Sequence, residues 1–292
     1  MAQIHLRLAE NVDGEFFVDS SCIDCDACRQ IAPATFRDHG GQSSVFAQPA
    51  TSAELHRALM ALVACPTASI GTSPRRSARE AVDAFPEAIV SNVRFCGFTS
   101  EASFGAWSYL IVRPEEAGGN VLVDSPRFAA PLVRQIERLG GVAVMFLTHR
   151  DDIADHARFA AHFDCPRVMH QADGAGGLGI ERVTSGEQAV AIGQDLVCIP
   201  TPGHTRGHQV LLYRNQVLFT GDHLAWSPER KRLIAFRDAC WFSWREQTRS
   251  MERLLGYRFE WVLPGHGRIH HASTDVMHDL LAECVRQMKS QG

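Results

Sequence analysis

Residues 147–156 read Leu-Thr-His-Arg-Asp-Asp-Ile-Ala-Asp-His. Two imidazoles and three carboxylates at such short spacing offer neutral nitrogen and anionic oxygen donors, the set that a divalent metal can take from one loop. Three later stretches carry the same residue types: Thr201-Pro-Gly-His-Thr-Arg-Gly-His, Thr220-Gly-Asp-His and Pro264-Gly-His-Gly. Each of the four follows a short, largely apolar run, at 142–146, 195–199, 216–219 and 260–263. Such runs read as buried strands, and α/β proteins gather ligand chemistry at the carboxyl ends of their strands. Taken alone, the first stretch has a simpler explanation, in which Asp152 or Asp155 caps the helix that follows. Four strand ends projecting His or Asp point instead to a metal centre that activates water or a substrate oxygen.

A second chemistry lies upstream. Cys22-Ile-Asp-Cys-Asp-Ala-Cys places three thiols three residues apart, and Cys65-Pro66 follows far downstream. Three cysteines so spaced wrap one face of a cubane, and a distant Cys-Pro closes it. Zinc would favour two separated Cys-x2-Cys pairs. The spacing is similar to that of a single-cluster bacterial ferredoxin, so one [4Fe–4S] cluster on Cys22, Cys25, Cys28 and Cys65 is expected. Cys96, Cys165, Cys198, Cys240 and Cys284 have no such spacing and read as small buried hydrophobes.

The late motifs resemble those of the metallo-β-lactamase superfamily over residues 88–292: Thr-His followed by Asp-His, Pro-Gly-His-Thr-x-Gly-His, Gly-Asp and Pro-Gly-His-Gly. The resemblance implies an α/β (α+β) fold, an αββα sandwich with one or two divalent metals, zinc or iron, at one edge of its sheets. It implies His149 and His204 at a first metal, Asp155, His156 and His266 at a second, and Asp222 bridging them. Asp155 would also orient the attacking water, which makes Asp155 and Asp222 the catalytic carboxylates. The chain departs from the pattern Thr-His-x-His-x-Asp-His. Asp151 stands where the second His is expected, and two extra residues precede Asp155-His156. Either Asp151 or Asp152 replaces the missing imidazole, or that ligand is lost.

Positioning these residues requires two folded segments. Residues 10–72 are expected to form a small ferredoxin-like α+β domain, with strands near 15–19 and 45–47. Its helix over 53–63, capped by Ser52, leads to Cys65. Residues 73–87 read as a linker with two Pro and three Arg. Residues 88–292 form the sandwich, with helices expected near 127–139, 152–163, 244–256 and 273–289. Gly174-Ala-Gly-Gly-Leu-Gly matches a dinucleotide string, but a strand follows where a helix is needed, so it reads as a loop. His170 reads as a packed residue, and His208 as a hydrogen-bonding support for the metal ligands. A hairpin after Asp222 leads to Phe236, Trp241, Phe242 and Trp244, which with Trp226 form an aromatic face. Most of these rings are expected to pack, with one or two walling a substrate pocket.

Charge and hydropathy bound the function. A net charge of −4 and a pI near 6.4 argue against nucleic acid or an anionic membrane as the partner. The first ten residues lack the apolar run of a signal peptide, and nine Cys suit a reducing, cytoplasmic setting. The expected activity is therefore metal-dependent hydrolysis of a small-molecule thioester, lactone or other ester, beside a cluster that transfers electrons or senses redox state. The alternative is an iron-dependent oxidoreductase fed by the cluster from an electron-transfer partner. His149-x-Asp151 resembles the flavodiiron branch, and His149, His204 and Asp222 match the two-His-one-carboxylate set of persulfide dioxygenases. A non-catalytic sensor is a third reading, against which the intact late motifs count.

Overall fold

The computed structural model describes residues 2–291. The chain divides into two compact units, Met1–Val112 with Pro126–Gly141, and Arg113–Ser125 with Val142–Gly292. The seam does not follow the segmentation at 72 and 88, since 88–112 groups with the cysteine-bearing segment.

The first unit opens with β1 (Phe16–Val18), α1 (Ala27–Ile31), β2 (Phe36–Asp38), β3 (Ser43–Val45), α2 (Ser52–Ala64) and β4 (Ile70–Thr72). Strands β1 and β4 pair antiparallel, as do β2 and β3. The buried Asn11 amide ties them, accepting from Val18 N and Val45 N at 3.0 Å each. Helix α2 starts one residue earlier than expected, and its cap is Thr51. The Thr51 hydroxyl accepts from Glu54 N and the Glu54 carboxylate accepts from Thr51 N, both at 3.2 Å, a reciprocal capping box. Proline at 66 disfavours helical geometry at Cys65, so the helix stops there and delivers that thiol to the cluster loop. The stretch expected as a linker carries α3 (Arg79–Asp83), and it is followed by β5 (Glu87–Val90), β6 (Val93–Phe95), β7 (Tyr109–Ile111) and α4 (Ala130–Arg138). β5, β6 and β7 run antiparallel. Their apolar faces bury Phe95 between a stacked Trp107 at 3.7 Å and the edge of Phe85 at 5.7 Å.

The second unit contains β8 (Val121–Val123), β9 (Val144–Phe146), α5 (His156–Phe163), β10 (Arg167–His170) and β11 (Arg182–Thr184), whose strands pair in parallel in the order β8-β9-β10-β11. Next come β12 (Val190–Gly193), β13 (Leu196–Pro200), β14 (Gln209–Tyr213), β15 (Val217–Gly221), β16 (Ala225–Ser227), β17 (Arg232–Ile234), α6 (Trp244–Leu254), β18 (Trp261–Pro264), β19 (His270–His271) and α7 (Thr274–Ser290). The six-stranded sheet has the order β12-β13-β14-β15-β18-β19, with only β15 and β18 parallel. Strands β14 and β15 are buried along their whole length, as their near-continuous apolar runs require. Leu212, Leu218 and Val262 of this sheet share a core with Met251 and Leu254 of α6 and Leu281 of α7. β16 and β17 form the hairpin expected after Asp222.

Four strand ends converge on one region of this unit. β9, β13, β15 and β18 stop where the four His/Asp motifs begin. Gln209 fastens two of them, its backbone N donating to Thr148 O at 2.8 Å and its side chain to Leu147 O at 2.9 Å. No helix among the described residues is long and apolar enough to cross a membrane.

Candidate metal centre and cluster site

Two groups of donor atoms gather at those strand ends. His149, His204 and Asp222 form one and Asp152, Asp222 and His266 the other, with the atoms of each group within 4.8 Å of one another. Asp222 belongs to both. Its Oδ2 lies 3.8 Å from Nε2 of His149 and of His204, and His266 Nδ1 lies 2.8 Å from its Oδ1 and 2.9 Å from its Oδ2. Asp152 Oδ2 is 3.9 Å from His149 Nε2.

The local structure explains why these atoms point inward. Thr148 donates its backbone N–H and its hydroxyl to the buried Asp124 carboxylate, at 2.8 Å and 2.9 Å. That hydroxyl has spent its only proton, so its contact with His149 Nδ1 at 2.9 Å is one in which the imidazole donates. His149 Nε2 is thereby left as a lone pair facing Asp152 and Asp222. The turn bearing His204 is held by the buried Asp173, which accepts from Thr205 Oγ1 and Gly207 N at 2.6 Å each. Asp173 also accepts from Arg150 N at 3.1 Å, so one carboxylate ties the first and second motifs. Two glycines are required by close approach. A Cβ on Gly203 would lie 2.4 Å from Gln247 Cα, and one on Gly265 would lie 2.6 Å from Asp152 Oδ2.

The electrostatics suit a cation. His149 Nε2, His204 Nε2 and Asp152 Oδ2 are buried with no hydrogen-bond partner among the described residues, a cost of roughly 1–3 kcal/mol each. Burial pushes the His149 pKa down to about 4, so the ring is neutral and its nitrogen free to ligate. Burial and then the nearby Asp222 charge push Asp152 well above the usual carboxylate range. Burial also opposes ionisation of Asp222, but the charge of His266 and its hydrogen bond prevail and hold that carboxyl low. The approach of His204, whose Nε2 lies 3.3 Å from Asp151 Oδ2, lowers the half-exposed Asp151 carboxyl.

The predicted ligands Asp155 and His156 are not brought to the centre. His156 Nδ1 lies 3.1 Å from Arg167 Nη1, and burial and then that guanidinium lower its pKa. The Asp155 carboxylate lies 3.5 Å from Arg158. The cause is the helix boundary: α5 begins at His156 rather than near 152, so residues 149–155 form an open loop. Within that loop Asp152 turns inward to complete the second group, while Asp151 stands beside the first. Asp124, Thr148 and Asp173 are functional supports that the sequence reading passed over. A signal existed for Asp124, which ends an apolar run as the other site residues do; Asp173 had none. His208 Nδ1 lies 2.9 Å from Thr201 Oγ1, not from one of the donor residues. His170 is packed, with Nδ1 accepting from Ala172 N and Nε2 near Gly186 O.

In the first unit, Cys22, Cys25, Cys28 and Cys65 surround one cavity whose other walls include Val18, Ile23, Ala27 and Ile70. All four are free thiols. Burial pushes Cys25 up to about 12, with Cys65 and Cys22 adding to the shift, so ionised sulfur here needs a cation to sustain it. Ser43 N approaches Cys22 Sγ at 3.4 Å and Ser69 N approaches Cys65 Sγ at 3.3 Å, donors of the kind that stabilise cluster charge. Asp24 and Asp26 adopt φ of 61° and 66°, curling the loop so that its three thiols face inward. Arg29 straps it, 2.9 Å from Asp24 and paired also with Asp26. Four thiols, apolar walls and amide donors fit an iron–sulfur cluster.

Comparison with known proteins agrees on both parts. Residues 18–72 match the 4Fe-4S single cluster domain of Ferredoxin I. A hydroxyacylglutathione hydrolase of Xanthomonas campestris pv. campestris (strain B100) is 30% identical over 109 residues, 36% of this chain and 42% of that protein. The match thus spans less than half the length of that relative. Among solved structures, the DIM-1 metallo-β-lactamase gives a TM-score of 0.53 at 15% identity, covering 70% of this chain and 97% of that one. VMB-1 gives 0.51 at 16% identity, covering 70% and 96%. The chain thus joins the mixed α/β metallo-β-lactamase fold to a 4Fe-4S segment.

Proposed function

We propose that the chain is a metal-dependent hydrolase of small-molecule thioesters or related esters, fused to a [4Fe–4S] module that transfers electrons or senses redox state. The observation that carries this reading is Asp222, which is shared by two donor groups gathered at the ends of four strands. The hydrolase named in the 109-residue match supports it. His149, His204 and Asp222 would hold one divalent metal, and Asp152, Asp222 and His266 a second. A metal bound there supplies a water of lowered pKa, near ~7, and polarises a carbonyl. The chain's own residues do the rest. Asp124 and Thr148 fix the His149 tautomer, and Asp173 keeps the two ligand loops in register. Asp151 Oδ2, half exposed beside His204, is placed to receive the proton that an attacking water gives up. Nine free thiols suit a reducing compartment such as the cytoplasm.

The test is steady-state hydrolysis of thioesters by anaerobically purified protein, with metal analysis on the same sample. The expected result is turnover without reductant or O2, lost in Asp222→Asn. Turnover that requires O2 or an electron donor would instead favour an iron-dependent oxidoreductase. One observation speaks for that second reading: three carboxylates, Asp151, Asp152 and Asp222, stand among three imidazoles, an oxygen-rich set that suits iron.

A further inference from the structure

Segment 236–242 lies in the chain between the hairpin of β16 and β17 and helix α6, and it approaches the turns that bear His204 and His266. At its start, the Phe236 ring lies where a Cβ on Gly267, the neighbour of His266, would meet it at 3.0 Å. At its end, Trp241 N and Phe242 N both donate to the carbonyl of His204, at 2.9 Å and 3.1 Å. Ser243 N and Cys240 Sγ donate to Gly203 O at 3.0 Å and 3.2 Å. Arg237 lies over the Trp244 ring at 5.5 Å. The segment is therefore mounted on the residue that bears a metal-facing imidazole.

Its aromatic residues do not share one fate. Trp226 stacks on His270 at 3.7 Å, and Trp244 Nε1 donates to Met288 O at 3.3 Å, as packing residues should. Trp241 is 63% exposed and Phe242 46% exposed, although their backbones are held by hydrogen bonds. The Trp241 ring centre is 6.3 Å from that of His204. Phe242 lines a cleft of about 450 Å³ whose other walls include Pro202, His208, Arg206, Glu246 and Arg249. Scattered exposed apolar residues need no explanation, but two adjacent ones rigidly presented beside a reactive centre mark a binding surface.

We propose that Trp241 and Phe242 form the acyl-binding wall of the metal centre and select substrates with a bulky apolar or aromatic acyl group. This rests on the hydrolase reading above. The scissile carbonyl would face the His204 imidazole while its acyl substituent lies on the two rings. A small acyl group leaves them wet and gains nothing from them.

The experiment compares acetyl, hexanoyl and phenylacetyl thioesters of N-acetylcysteamine on the full, metal-loaded chain. Wild type is expected to favour the hexanoyl and phenylacetyl substrates over acetyl by ~10-fold in kcat/KM, about 1.4 kcal/mol. In Trp241→Ala/Phe242→Ala, checked for native circular dichroism and metal content, that preference should collapse toward unity. Val276→Ala, an exposed apolar residue on α7, should keep it. An acyl profile that is flat in wild type, or unchanged in the double variant, overturns the proposal. Should wild type cleave none of the thioesters, the hydrolase reading fails by itself, and the wall is then read by saturation-transfer NMR with phenylacetate and acetate. Phenylacetate contact that disappears in the double variant sustains the wall; absence of contact removes it.

Discussion

His149 shows how much of this centre depends on neighbours rather than on the ligand itself. Its ring is useful because Thr148, itself held by Asp124, occupies the other nitrogen. Asp152 is the complementary case, a carboxylate whose buried Oδ2 has no partner of its own among the described residues. Asp152→Asn should therefore lose about one equivalent of non-cluster metal per chain. Asp155→Asn and His156→Ala should keep the wild-type content by elemental analysis. Comparable loss in His156→Ala would return the second site to the Asp155–His156 pair. His223 raises a different question: it is fully buried, and neither ring nitrogen has a partner among the described residues. Burial pushes its pKa from 6.5 down to about 3. The unfolded chain takes up a proton near pH 6.5 while the folded chain refuses it until about 3. Stability that is present above 6.5 thus declines as pH falls through that window, by up to ~1.4 kcal/mol per pH unit. Urea midpoints between pH 7.5 and 5 should fall less steeply in His223→Leu; an identical slope would show that this imidazole is not protected.

At the scale of elements, boundaries decide the chemistry. The apolar periodicity of 157–163 identifies α5, yet nothing in that pattern shows that the helix starts at His156 rather than near 152. Those four residues place Asp152 in the centre and leave His156 with Arg167. A smaller shift of the same kind affects α2, where Ser52 and Thr51 are both plausible caps by residue type. Only Thr51 stands three residues before Glu54, and that spacing is what a capping box needs. Thr51→Ala should lower stability by about 1 kcal/mol in denaturant unfolding, with Ser52→Ala costing much less. Equal effects would mean that the reciprocal bonds contribute little. The segment 236–242 belongs here too, since its aromatic residues were visible in the chain but their separation into packed and presented rings was not.

Over the whole molecule, two candidate sets of metal donors sit on separate parts of the chain, four thiols in one unit and the His/Asp donors in the other. They should be separable. Cys25→Ala, purified anaerobically, is expected to lose about four iron and four acid-labile sulfide per chain. The metal held by the His/Asp donors should stay. Loss of both together would show that one site depends on the other. The cysteine spacing, the four strand ends and their motifs were legible from the order of residues, because each depends on contacts between near neighbours or on one turn following one strand. So was strand β15, whose buried faces leave a continuous apolar run. The partners of each donor were not legible. Asp173 reaches three groups from Arg150 to Gly207, and Asp222 joins groups contributed by three other strand ends. Those assignments are made across gaps of tens of residues, where only the folded backbone decides which carboxylate meets which imidazole, and which aromatic ring is left facing water.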